Sequence, residues 1–244
     1  MTREEKSAYL RKWHRFQQRY ENLYTPKFKE ALRKQIQQYV SRREINSGPI
    51  YEVLLDLYKT AGPSWAAASG VYRMRQSKAR RPMGFNMRIV ELMRQYYGID
   101  LLNNAEQITQ NTRDIIASIL SDAALTGASI NEIVRALEAS PELGAMRARR
   151  IARTETTAAA NTASLISAKE TGVPMRKIWL AVNDNRTRHS HRNIDETKIP
   201  IDDAFNVNGT QMMQPGVRTQ PNGMTVPGSE IVNCRCTLGY EVIE

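Results

Sequence analysis

The chain has 244 residues, 41% hydrophobic and 25% charged, with a mean hydropathy of −0.52; this suits a core in one or two domains and excludes a transmembrane run of about 18 apolar residues. Two cysteines separated by one residue cannot make a disulfide scaffold and indicate a reducing compartment, and the charged start Met1-Thr2-Arg3-Glu4-Glu5-Lys6 lacks the apolar segment of a secretion signal. The net charge of +10 is uneven: residues 1–100 hold 20 Lys+Arg against 9 Asp+Glu, and the rest hold 15 against 16, which fits a polyanion or acidic partner surface as well as a solvated helical face.

Apolar residues at three- and four-residue steps predict a helix over 6–23, through Leu10, Trp13 and Tyr20. Thr25-Pro26 reads as a cap and first turn of a second helix reaching Arg43. Gly48-Pro49 opens a segment from Ile50 to Ala61 that Gly62-Pro63 should stop. A weaker helix, 64–77, leads into the basic run Lys78-Ala79-Arg80-Arg81-Pro82, and Met87–Tyr97 is a short helix closed by Gly98. Ala105–Leu125 carries the stripe Ile108, Ile115, Ile119 and Ala123, and Ser129–Ala139 is a short helix. Ser140-Pro141-Glu142 begins an alanine-rich helix that runs to Thr171.

After Pro174 the texture changes. Short β-like runs at Ile178–Val182, Met224–Val226 and Cys236–Val242 flank a polar stretch broken by Gly209, Pro215, Gly216, Pro221, Gly223, Pro227 and Gly228. The expected fold class is α+β: a mostly α-helical N-terminal region followed by a small loop-rich α+β domain. The expected divisions are a basic helical region 1–104, a connecting helical part 105–172, and a loop-rich tail 173–244. Trp179, Val182 and Phe205 are the expected core of that tail, packed on the alanine-rich helix.

The chemistry gathers in the same tail. Residues two apart on a strand share a face, so His189 with His191 and Cys234 with Cys236 could each offer two ligands, a donor set suited to tetrahedral zinc. Small apolar cysteines and surface histidines are the plain alternative. Asp184, Arg186, Arg188 and Arg235 admit a second reading, an ion-pair network that ties loops together. A third makes His191 a base near Asp184, with Arg186 or Arg188 binding a phosphate. No P-loop, GxSxG elbow, HExxH helix or Rossmann fingerprint is present.

Over about residues 145–240 these pieces resemble a known family, the phage Mu F-like head morphogenesis proteins, or minor head proteins. The resemblance rests on Ala152-Arg153-Thr154-Glu155-Thr156 and Asn161, then Trp179, then Asp184, Arg186-Thr187-Arg188 and His191. It continues through Ile194-Asp195, Asp202-Asp203, Phe205 and Pro227 to Asn233-Cys234-Arg235-Cys236. It implies a non-enzymatic minor capsid protein of a tailed bacteriophage, in the virion at the head interior or portal vertex and in the host cytoplasm during assembly. The implied partners are the portal protein, other capsid or internal head proteins, and DNA through the basic N-terminal region, with no membrane. The network residues it points to are Asp184, Arg186, Arg188, His191, Asp195, Asn233 and Arg235. The family pattern has one histidine, matching His191; His189 is an addition, so a zinc site would use His191, Cys234 and Cys236 with His189, Asp184 or Asp195 as the fourth ligand. The competing expectations are a metal-dependent nuclease or phosphotransfer enzyme using His191, Asp184, Arg186 and Arg188, and a plain DNA-binding protein.

Overall fold

A computed structural model of the chain describes residues 1–70, 85–219 and 223–243. Its helices are α1 (Arg3–Arg42), α2 (Gly48–Ser69), α3 (Phe85–Thr126), α4 (Ile130–Ala139), α5 (Ala145–Lys169), α6 (His189–Asn193) and α7 (Gly228–Ile231). The strands are β1 (Met175–Leu180), β2 (Lys198–Pro200), β3 (Phe205–Val207), β4 (Thr210–Met212) and β5 (Thr237–Val242). A helical N-terminal region followed by a small α+β part is therefore the fold class, as the sequence indicated.

Three expected helix breaks are continuous helix instead. Pro26 lies inside α1 and Pro63 inside α2. The carbonyl each proline leaves without its amide belongs to an exposed residue, Asn22 or Lys59, where water can serve it. Neighbouring hydroxyls also donate into these turns, Thr25 Oγ1 to Glu21 O at 2.6 Å and Ser64 Oγ to Thr60 O at 2.7 Å. Gly62 serves packing: a Cβ there would lie 2.5 Å from Met93 Cε and 3.1 Å from Ala163 Cβ, so helices approach too closely for a side chain. Gly98 costs α3 about 1 kcal/mol and does not end it. The alanine-rich helix starts after a 3₁₀ turn, Pro141–Leu143, at Ala145. The helix has ended by Gly70, at φ of 83°; beyond that residue the expected 64–77 helix and the basic run 78–82 lie outside the described residues, as does Pro221.

The chain divides into two compact units. The second comprises Glu21–Asp56 and Tyr97–Ala152. Its core holds Ile36, Ile116, Leu137 and Leu143, and the buried Arg147 donates to Thr112 Oγ1 and Ile108 O. A reciprocal Ser129–Glu132 capping box starts α4.

The first unit comprises Met1–Tyr20, Leu57–Tyr96 and Arg153–Glu244. Its sheet has the order β2-β1-β5, all antiparallel, with Met175 opposite Val242 and Leu180 opposite Thr237. Strands β3 and β4 form a hairpin through Asn208-Gly209, both with positive φ, the geometry a two-residue turn requires. The expected strand at 224–226 is a single bridge, Thr225 to Thr219.

Trp179 and Phe205 are fully buried and meet edge to face at 5.3 Å, in a core completed by Met175, Ile231, Leu238 and Leu165. Val182 lies past the end of β1 and is only half-buried, so the structure places it outside this core. A second cluster packs Trp13 of α1 on Trp65 of α2 and Ala160 of α5.

Candidate metal centre and its hydrogen-bonded frame

The centre is built on the turn Asn233-Cys234-Arg235-Cys236 that leads into β5. Asn233 adopts φ of 60°, a left-handed conformation that asparagine tolerates better than most residues. Its amide donates to Thr154 Oγ1 at 3.0 Å. The next three carbonyls are each taken by a buried side chain. Cys234 O accepts from Thr157 Oγ1 at 2.9 Å and Gln17 Nε2 at 3.2 Å. Arg235 O accepts from Trp13 Nε1 at 2.7 Å, and Cys236 O from Asn161 Nδ2 at 3.1 Å. A turn with this many polar main-chain groups could not be buried otherwise.

Helix α5 supplies most of this frame. Asn161 donates also to Pro215 O at 3.2 Å and accepts from Thr237 Oγ1 at 2.9 Å and Leu238 N at 3.2 Å. Glu155, fully buried, accepts from Tyr58 Oη at 2.9 Å and pairs with Arg218 at 3.5 Å. Gly216 brings the following loop against the same helix; with φ of 83°, a Cβ there would sit 3.0 Å from Ala158 N.

The second component is the segment 184–195. Asp184 Oδ1 accepts from Arg186 N at 3.0 Å and Thr187 Oγ1 at 3.2 Å, closing an Asx turn. Both carboxylate oxygens of Asp184 meet the Arg235 guanidinium, at 2.7 and 2.5 Å, a bidentate pair that ties this turn to the cysteine turn. That guanidinium holds the Asp184 carboxyl well below the usual carboxylate range. Arg188 donates to Val232 O, while Arg186 is exposed and reaches Asp184 only at 3.8 Å. Asp195 accepts from Ala181 N at 2.8 Å and from Lys6 Nζ at 2.6 Å.

These two turns bring His191, Cys234 and Cys236 together, all buried. His191 Nδ1 lies 3.6 Å from Cys234 Sγ and 3.4 Å from Cys236 Sγ. The ligand atoms of the three residues all lie within 4.8 Å of one another, a cluster that could hold a metal ion. The far nitrogen, Nε2, is 3.0 Å from Glu230 Oε2, which also accepts from Ser190 Oγ at 2.9 Å. Contact with Cys236 and then His191 lowers the Cys234 thiol from its ordinary value, and contact with Cys234 and burial push the Cys236 thiol up.

His189 is not part of the cluster. Residues 189–193 are helical, so positions two apart diverge instead of sharing a face; His189 is exposed and pairs with Asn193 at 3.2 Å. Neither Asp184 nor Asp195 joins the three ligand residues. The sequence reading missed Trp13, Gln17, Thr157 and Glu230. Trp13 and Gln17 carry only the signal of an amphipathic helix, and Glu230 only that of a short capped segment after Pro227.

Comparisons with known proteins place this arrangement. The chain is 34% identical over 146 residues to an NAD(+)--arginine ADP-ribosyltransferase, EFV, of Enterococcus faecalis, covering 57% of this chain and 27% of that protein. It is 29% identical over 136 residues to the uncharacterized protein YqbB of Bacillus subtilis, covering 55% and 43%. To the minor head protein GP7 of Bacillus phage SPP1 it is 27% identical over 146 residues, covering 59% and 42%. The chain thus spans less than half the length of each of these relatives. No solved structure matches it significantly. The profile of the Phage Mu protein F like family matches residues 114–239, just over half of the chain and including every residue of the cluster, and the chain belongs to that family.

Proposed function

We propose that the protein is a minor capsid component of a tailed-phage head, acting in head morphogenesis at the portal vertex. The observation that carries this reading is the family match across the cysteine–histidine centre, together with a relative named as a minor head protein. On this reading it resides in the virion, at the head interior or portal vertex, and in the host cytoplasm during assembly. Its partners are the portal protein, neighbouring capsid or internal head proteins, and packaged DNA.

The chemistry of the centre supports a structural role. Three of the four side chains a nuclease or phosphotransfer enzyme would use are committed elsewhere, Asp184 to Arg235, Arg188 to Val232 O and His191 to a buried cluster, and the fourth, Arg186, is exposed. Asp184, Arg186, Arg188, Asp195, Asn233 and Arg235 act as the frame, and a zinc ion at His191, Cys234 and Cys236 has a structural task. The name of the Enterococcus relative describes a protein of which the matched stretch is 27%. The basic N-terminal region offers the contact surface. An open groove of about 1120 Å³ beside the start of α1 has Arg3, Arg11, Arg15 and Arg192 on its walls.

The test is co-expression with the portal protein of the same phage. Co-purification in wild type, lost on changing Arg3, Arg11 and Arg15 to Glu, is the expected result. A procapsid map with no density for this chain at the portal vertex overturns the assignment.

A further inference from the structure

We propose that His191, Cys234 and Cys236 form a zinc site in which His191 ligates through Nδ1 and Glu230 positions the ring from its other nitrogen. This deepens the structural reading of that cluster given above.

The spacing of the donors comes first. A tetrahedral ion with Zn–S of about 2.3 Å and Zn–N of about 2.0–2.1 Å sets neighbouring nitrogen and sulfur donors roughly 3.6 Å apart. The two observed separations, 3.6 and 3.4 Å, are those of such a tetrahedron's edges.

The orientation of the ring points the same way. Nε2 faces the Glu230 carboxyl at 3.0 Å, which leaves Nδ1 toward the sulfurs. One ring nitrogen can bond one S–H, yet two sulfurs converge on it. A metal ion engages all three donor atoms at once. A carboxylate on the far ring nitrogen is the usual companion of a metal-bound histidine, and Ser190 fixes the carboxylate in turn.

The buried Trp179 indole N–H, without a hydrogen-bond partner, lies in the same core cluster as the two cysteines. Two thiolates and one imidazole select zinc over magnesium or calcium. One Zn²⁺ with two thiolates makes a buried unit that is neutral overall. Among the described residues the cluster has three protein ligands.

The test uses the full chain, isolated without metal-affinity steps. Elemental analysis is expected to give about one zinc per chain. Stripping with a chelator should lower the melting temperature, and ZnCl₂ should restore it. Cobalt in place of zinc should give an intense thiolate-to-metal charge-transfer band. Glu230→Gln should keep the stoichiometry and the cobalt band but weaken zinc roughly 10–100-fold in chelator competition, the range for losing the carboxylate behind a metal-bound histidine. A folded wild-type chain that neither contains zinc nor shifts its melting on adding it overturns the site. So does a Cys234→Ser, Cys236→Ser double variant that keeps its zinc. Zinc uptake without portal binding leaves this site standing while the head assignment fails.

Discussion

Asn161→Ala is the sharpest test of the idea that α5 holds the cysteine turn by its main chain. The side chain is fully buried and uses both of its polar atoms twice, for Pro215 O, Cys236 O, Thr237 Oγ1 and Leu238 N. The Thr237 hydroxyl can rotate to another acceptor, but two carbonyls and one amide cannot. Each buried group left without a partner costs about 1–3 kcal/mol, so the loss is on the order of 3–6 kcal/mol once a water enters part of the space. At about 2–4 °C per kcal/mol for a chain of this size, the melting temperature should fall by roughly 6–24 °C. Tryptophan fluorescence is the right probe, because all three tryptophans, Trp13, Trp65 and Trp179, lie in the first unit. A fluorescence melt within about 2 °C of wild type refutes the claim that this asparagine carries the frame.

Trp179→Ala removes the largest side chain of the tail core and should cost about 3–5 kcal/mol in chemical denaturation; an unchanged midpoint would mean that Trp179 is not a core residue. Asp184→Asn breaks the bidentate pair with Arg235. The folded carboxyl titrates well below its ordinary value of 3.8, so the pair's contribution is complete above about pH 4 and is lost as pH falls further. Denaturation midpoints of wild type and variant should therefore differ at neutral pH and converge in acid; a constant gap places the effect elsewhere. Lys177 is fully buried, donates to Met213 O at 2.9 Å, and is pushed down to about 7 by burial and then by nearby Lys169. Between that value and about 10.4 the unfolded chain binds the proton and the folded chain does not, so wild-type stability rises with pH in this window. Lys177→Met should flatten the slope, and an unchanged slope removes the assigned cause.

The helices were legible because their apolar spacing persists over many turns, but their ends were not. Pro26 and Pro63 read as stops by local geometry. What overrides that is tertiary: Tyr24 and Phe28 on either side of Pro26 are buried, and Asn22, whose carbonyl the proline leaves without an amide, is an exposed residue. Gly62 reads as a breaker and acts as a contact surface for Met93 and Ala163. The hairpin at Asn208-Gly209 carries the strongest short turn signal there is. Its strands, at three residues each, are too short to show alternation within a polar stretch.

The candidate centre was legible as residue types and not as geometry, for a physical reason. A sequence displays thiols, imidazoles and carboxylates, but the partners that orient them here are main-chain carbonyls, and any buried N–H or O–H donor can serve a carbonyl. Trp13 and Gln17 therefore look like one helix stripe, and Thr157 like a small residue in an alanine run. His189 looked equivalent to His191 because two-residue spacing means one face on a strand; on a helical turn it means opposite fates, one solvated and one buried. Fixing the carbonyls of Cys234, Arg235 and Cys236 leaves those residues only their side chains. The Arg235 side chain is spent on Asp184. What remains are two thiols aimed at one ring nitrogen whose opposite side is already held by a carboxylate. A frame so heavily bonded is more than two small apolar side chains need for burial. It is what a site needs if three donor atoms must be held at fixed separations before an ion arrives.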